Sequence, residues 1–301
     1  MQVGGGQTFL KQWWHMGLLA VLLVSPLGPL KSWGFQAHRD INGRAVDLLS
    51  GPLGDFFQAH RPWLVALSTD PDQRRNYTPD EGPRHYIDLE YYGVASFTAL
   101  SFDNKVAEER FGRDKLKEWG YLPWHLLAVL NALKEAMAAD EWERAIVLAA
   151  DLGHYVGDAH MPLHTTSNYD GQDTGNKGVH HLFEGVMMDR YMAEYKPSGL
   201  ALLEIDDPAA AIFGWLSDSY GLIDGLLAAD TEARRGLSDD QIEVLKAGYS
   251  ADQAAISEEY IQRLYAATGS MAWQQLALAT VRLASLWQWA WEAAGQPQPP
   301  R

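Results

Sequence analysis

The residues best suited to chemistry cluster in three short segments. The densest reads His154-Tyr-Val-Gly-Asp158-Ala-His-Met-Pro-Leu-His164. On a helix, positions 154 and 158 lie one turn apart on the same face, so an imidazole and a carboxylate can reach one metal ion. Pro162 stops that helix and turns His164 away, towards a second ion. In the second segment, Val179-His180-His181-Leu-Phe-Glu184, His180 and Glu184 again stand at i and i+4. The third reads Ser68-Thr-Asp70-Pro-Asp72, followed by Pro83-Arg84-His85-Tyr86-Ile-Asp88. Each piece alone has a plain structural explanation. A His-x-x-x-Asp pair can be a simple hydrogen bond. His160 and His181 read as surface residues, His60 and His125 as structural ones, and Met161, Met187 and Met188 as core. Tyr86 can be packing alone. Together they are harder to dismiss, because buried charges need partners.

The chain has no cysteine, so any metal must be held by imidazole, carboxylate and backbone groups, a donor set well suited to zinc. Its net charge of -15 argues against a protein that grips nucleic acid through broad basic surfaces. It does not exclude a nuclease, because metal ions supply local positive charge.

Positioning these segments is a task for helices. Residues 1–32 read as an export signal: Lys11 is followed by the apolar run Met16 to Leu30, which is too short and Pro-interrupted to span a bilayer comfortably, and Ser32 suits cleavage. The mature chain then starts at Trp33, is secreted or periplasmic, and keeps no stable membrane span; an uncleaved anchor is the alternative. Helices are expected from Ala37 to Gln58, Asp103 to Trp119 and Pro123 to Ala139. The next runs from an Asp140 N-cap, with Glu143 three residues on, to just before Pro162. Others follow from Val179, Pro208, Ser238 and Met271. Asp70 to Tyr92 and Ser167 to Gly178 read as loops, and Gly295 to Arg301 as a disordered tail. There is no strand alternation, repeat or internal linker. The expectation is one all-α domain, residues 33–301, with no obligate protein partner in evidence.

His-x-x-x-Asp-x-x-x-Pro-Leu-His followed by His-x-x-x-Glu resembles the superfamily of zinc-dependent bacterial phospholipases C and single-strand-specific zinc nucleases. The resemblance runs from Trp33 to Glu184 and more loosely into the C-terminal helices. It implies an all-helical hydrolase of phosphate esters with three zinc ions at the bottom of a cleft. It also implies the ligands. Asp70, His85, His154 and Asp158 would hold one ion. Trp33, through its α-amine and carbonyl, His38 and the bridging Asp158 would hold its neighbour, and His164, His180 and Glu184 the third. Asp70 would also orient, or take a proton from, the attacking water. Arg84 is a candidate outer or substrate contact.

The resemblance divides on substrate. Tyr86 and Asp88 stand where the nuclease branch stacks a base and reads its edge. The steps from Trp33 to His38 and from Asp70 to His85 also match that branch. Glu184 as last ligand, and the segment from Thr165 to Gln172, resemble the phospholipase branch. The absence of cysteine departs from the disulfide-bearing fungal and plant nucleases. The balance leans to a single-strand nuclease or 3′-nucleotidase, with a phospholipase C acting on phospholipid head groups as the alternative. A third reading is an exported zinc-binding protein without turnover. The implied substrate is a small phosphoester, a single-stranded nucleic acid or a phospholipid.

Overall fold

The computed structural model describes residues 34–300; the stretch 1–32 read as an export signal, and Trp33, lie outside the described residues. Among those described there is no strand, and the regular structure is helical throughout, as the sequence leads one to expect. The α-helices are α1 (Phe35–Val46), α2 (Gly51–Ala59), α3 (Arg61–Leu67), α4 (Asp70–Arg74), α5 (Asn104–Phe111), α6 (Arg113–Trp119), α7 (Leu122–Ala138), α8 (Trp142–Ala159), α9 (Met188–Tyr191), α10 (Pro208–Tyr220), α11 (Ile223–Ala233), α12 (Asp239–Lys246) and α13 (Glu258–Ala293). None of these helices is long and apolar enough to cross a membrane.

The frame of the molecule is α13 laid against α1, α7 and α8. Fully buried aromatics weld the elements together. The Trp287 indole donates to the Ala149 carbonyl at 3.1 Å, and its ring meets Phe57 edge-on at 5.0 Å. Buried Met161, Met187 and Met188 belong to the core, as expected.

Several boundaries differ from the sequence reading. The stretch from Ala37 to Gln58 is two helices, because Gly51 takes a left-handed φ of 66° and Pro52 starts a new first turn. Gly112, at φ 82°, splits Asp103 to Trp119 in the same way. Asp140 does not cap α8; it sits at φ 58° in the turn from α7, and the helix starts at Trp142. The expected helix start at Met271 falls inside α13. The loop from Asp70 to Tyr92 carries α4 and two short 3₁₀ turns. The tail is tied back at Pro297, whose carbonyl accepts from the Trp291 indole at 2.9 Å. The Ser238 start is borne out by a complete capping box with Gln241.

Candidate metal centre

Helix α8 carries the centre. His154 and Asp158, both fully buried, project from one face, with His154 Nε2 3.4 Å from Asp158 Oδ2. Helix α1 crosses here because α8 has glycines at 153 and 157. A Cβ on Gly153 would run into the Asn42 amide, and one on Gly157 would lie 2.8 Å from His38 Nδ1. Two glycines one turn apart thus make a groove for two α1 side chains one turn apart. Asn42 locks it by donating to the carbonyls of Leu64 and Ala150. His38 stacks on His154 at 4.0 Å between ring centroids and brings Nε2 to 3.8 Å from Asp158 Oδ1.

The third segment closes over α8 from the other side. His85 Nδ1 lies 2.9 Å from Asp158 Oδ2, 3.1 Å from His154 Nε2 and 3.8 Å from Asp72 Oδ1. Of the two aspartates in this segment, Asp72 rather than Asp70 is the one brought beside His85 and His154. The two are separated by about 200° around α4, at roughly 100° per residue. Asp72 points inward, 4% exposed, whereas Asp70 is half-buried with Arg74 as its charged neighbour.

Beyond Pro162 a 3₁₀ turn swings His164 round as expected. Its Nε2 lies 3.2 Å from His180 Nε2 and 3.7 Å from Glu184 Oε2, and its Nδ1 3.3 Å from Asp158 Oδ1. His180 and Glu184 come from the start of a π-helix, His181–Met187, that runs into α9. The preceding loop is pinned by Asn176, which donates to Asp230 at 2.7 Å, while Arg234 donates to the Asn176 and Lys177 carbonyls. The amide of Gly34, the first described residue, donates to the Glu184 carbonyl at 3.1 Å, tying the start of α1 to this turn.

Three donor groups result: Asp72, His85 and His154; His38, His154 and Asp158; and His164, His180 and Glu184. The donor chemistry fits cations. His154 Nδ1 donates to the Ser68 carbonyl at 2.8 Å, so its Nε2 carries a lone pair into a nest of Asp158, Asp72 and His85. His180 Nδ1 donates to the Tyr169 carbonyl at 3.0 Å, and its Nε2 faces Glu184 Oε1 at 3.1 Å and His164 Nε2. A lone pair directed at a carboxylate repels it unless a proton or a metal ion stands between them; burial opposes a proton on His180, but Glu184 outweighs it and raises the pKa of the ring. Both His38 ring nitrogens and both Asp72 oxygens are buried without a hydrogen-bond partner, a state that costs several kcal/mol unless something coordinates them, on the order of 1–3 kcal/mol per group.

The electrostatics agree. Burial lowers the pKa of His38 to about 4 and that of His154 well below its ordinary value, leaving neutral imidazoles with free lone pairs. Burial raises Asp72 to about 7. Burial also opposes charge on His85, but Asp158, Glu81 and Asp72 outweigh it and raise its pKa to about 9. The pocket thus recruits positive charge.

A cleft of about 600 Å³ opens above, lined by His85, His164, His180 and Glu184 at its base and by Arg75, Tyr86, Asp88, Tyr169 and Tyr249 on its walls. Tyr86 and Asp88 are where the sequence leads one to look. Their strand of chain is held by Ile87 N donating to the His164 carbonyl and Asp88 N to the Trp119 carbonyl. Sequence reasoning missed Arg75, which lies 3.6 Å from Asp72 Oδ1, and Tyr249, whose hydroxyl donates to Glu184 at 2.6 Å. Arg75 was legible as the residue one helical turn after Asp72; nothing local in sequence points to Tyr249. Arg84, read as an outer contact, donates to Glu81 at 2.7 Å. His160 and His181 are not surface residues. Both are buried, His160 between the Val156 carbonyl and Arg282, and His181 beneath Tyr249.

Compared with known proteins, residues 37–290 match a family model described as S1/P1 Nuclease. Nothing among curated individual proteins matches the chain.

Proposed function

The chain belongs to the S1/P1 nuclease family of phosphodiester-hydrolysing enzymes, which use zinc, and we propose that it is an exported phosphodiesterase of that kind with three zinc ions. The observation that carries this is the pair of histidines, His154 and His180. Each is committed through Nδ1 to a backbone carbonyl and presents Nε2 to carboxylates. Asp72, His85, His154 and Asp158 would hold one ion. His38 and Asp158, joined by the α-amine and carbonyl of Trp33, would hold a second, and His164, His180 and Glu184 the third. Bound there, zinc would act as a Lewis acid and lower the pKa of water towards neutrality.

The chain's own residues supply the remainder. Asp72 takes the role first read for Asp70: its carboxylate orients the attacking water and accepts its proton. Arg75, on the cleft wall, offers a forked cation to the phosphate. Tyr86 offers a face for an unpaired base and Asp88 a group to read its edge. Net charge on the ligand carboxylates is -3 against +6 from three zinc ions, leaving about +3 before any bound anion, enough to draw phosphate into an acidic protein.

Single-stranded nucleic acid or a 3′-nucleotide is the favoured substrate, on the strength of Tyr86 and Asp88 in the cleft. The move from Asp70 to Asp72 removes one spacing argument for the nuclease branch, and Glu184 keeps a phospholipid head group as the second reading. A panel of single-stranded DNA, RNA, a 3′-nucleotide and phosphatidylcholine, assayed with and without chelator, decides between them. Cleavage of the nucleic acids alone supports the first reading, of the lipid alone the second. A zinc-loaded protein that cleaves none of them would be a binding protein.

A further inference from the structure

Outside the donor groups lies a buried charged cluster with no part in the chemistry above. Its centre is Glu81, fully buried. Arg84 donates to its Oε2 at 2.7 Å, Arg74 lies 3.5 Å from the same oxygen, and the Tyr155 hydroxyl donates to Oε1. Arg74 is itself held by both oxygens of Asp151, at 3.1 and 2.8 Å. Asp151 and Tyr155 form an i,i+4 pair on α8, set beside the pair His154 and Asp158. One stripe of the helix thus faces the metal centre and the next grips Glu81.

The free edge of this cluster meets His85. Nε2 of that ring is buried without a hydrogen-bond partner, and Glu81 Oε1 stands 3.7 Å from it. Nδ1, on the other side of the ring, faces Asp158, His154 and Asp72. If Nδ1 gives its lone pair to a metal ion, the ring proton must sit on Nε2, and the carboxylate beside Nε2 is Glu81. Metal-bound imidazoles commonly donate their second N–H to such an acceptor.

We propose that Glu81 is the outer carboxylate of the metal centre, accepting the Nε2–H of His85 and so fixing the tautomer and ring angle with which His85 offers Nδ1 to a metal ion. Glu81 is a positioning residue; Tyr155, Arg74 and Arg84 keep it aimed. The inference rests on reading His85 as a ligand.

The test is zinc affinity, measured on the full mature protein by competition with a chromophoric chelator. Glu81→Gln keeps the shape and removes the charge. It should weaken one zinc site about 10–100-fold and leave the others unchanged. In a His85→Ala background, the same substitution should cause no further loss. Wild-type affinity in Glu81→Gln would overturn the proposal. So would an equal loss with and without His85, which would mark a purely structural cluster. Nitrogen-15 NMR of the zinc-loaded wild type gives an answer independent of any variant's folding. It should show His85 as the Nε2–H tautomer with a protected proton; an Nδ1–H tautomer would contradict the proposal. A wild-type chain that bound no zinc would instead overturn the reading of the whole centre.

Discussion

Gly157 of α8 lies so close to His38 of α1 that an added Cβ would come within 2.8 Å of the imidazole Nδ1. The spacing between the two helices at the candidate metal centre is set by the absence of a side chain. Gly157→Ala should therefore displace His38, weaken zinc binding at the site shared with Asp158, and lower stability by about 1–3 kcal/mol, the usual range for overpacking. Thermal melts and zinc titration check this. Unchanged affinity would mean that α1 can shift without cost.

Asp72 and Asp70 should separate cleanly on mutation. Asp72→Ala should cost at least the 10–100-fold in metal affinity or activity typical of even outer partners. Asp70→Ala, altering a half-buried residue on the other side of α4, should keep both near wild type. The reverse ranking would favour Asp70 as the ligand.

The parts of this protein legible in the sequence are those where one local pattern fixes the geometry. His154 with Asp158 and His180 with Glu184 each share a helical face by spacing alone. Pro162 announces the turn that delivers His164. What sequence hides depends on orientation within short elements or on distant contacts. Asp70 and Asp72 are two positions apart in a five-residue helix, and only its packing decides which faces inward. The glycines at 153 and 157 serve neighbours more than a hundred positions away, Asn42 and His38, which no local spacing reveals. Tyr249 reaches Glu184 from a turn between α12 and α13 whose placement no local signal specifies. His160 and His181 read as surface residues because each sits beside a better ligand candidate; the contacts that bury them come from distant Arg282 and Tyr249.

Gly34 N donating to the Glu184 carbonyl places the start of α1 at the centre, so a free α-amine on Trp33 should be required for full zinc loading. An amide nitrogen is a poor ligand because its lone pair is delocalised, whereas an α-amine with a pKa of about 7.7–8.0 can lose its proton to a metal. A chain starting at Trp33 should carry one more zinc than a chain with an uncut Gly-Ser extension. Trp33→Ala should match the former. Equal zinc and activity in the extended form, confirmed intact by mass, would rule out this role.

Asp88 should leave a signature in the pH dependence of stability. Burial, and then Glu90, raises its pKa from an ordinary 3.8 to about 7. Folding therefore favours the protonated form. The contribution is complete below the ordinary pKa and is lost as pH rises through about 7. Between about pH 4 and pH 8, Asp88→Asn should lose less melting temperature than the wild type, since the amide cannot ionise. Identical slopes would show that Asp88 is ionised in the folded protein throughout.

Zinc content per chain tests the central reading most directly. Elemental analysis of mature protein, purified without chelator and with its activity measured on the same sample, should give three zinc ions per chain. Chelation should remove the zinc and the phosphodiesterase activity together. A reproducible value of zero or one with full activity would contradict the trinuclear centre.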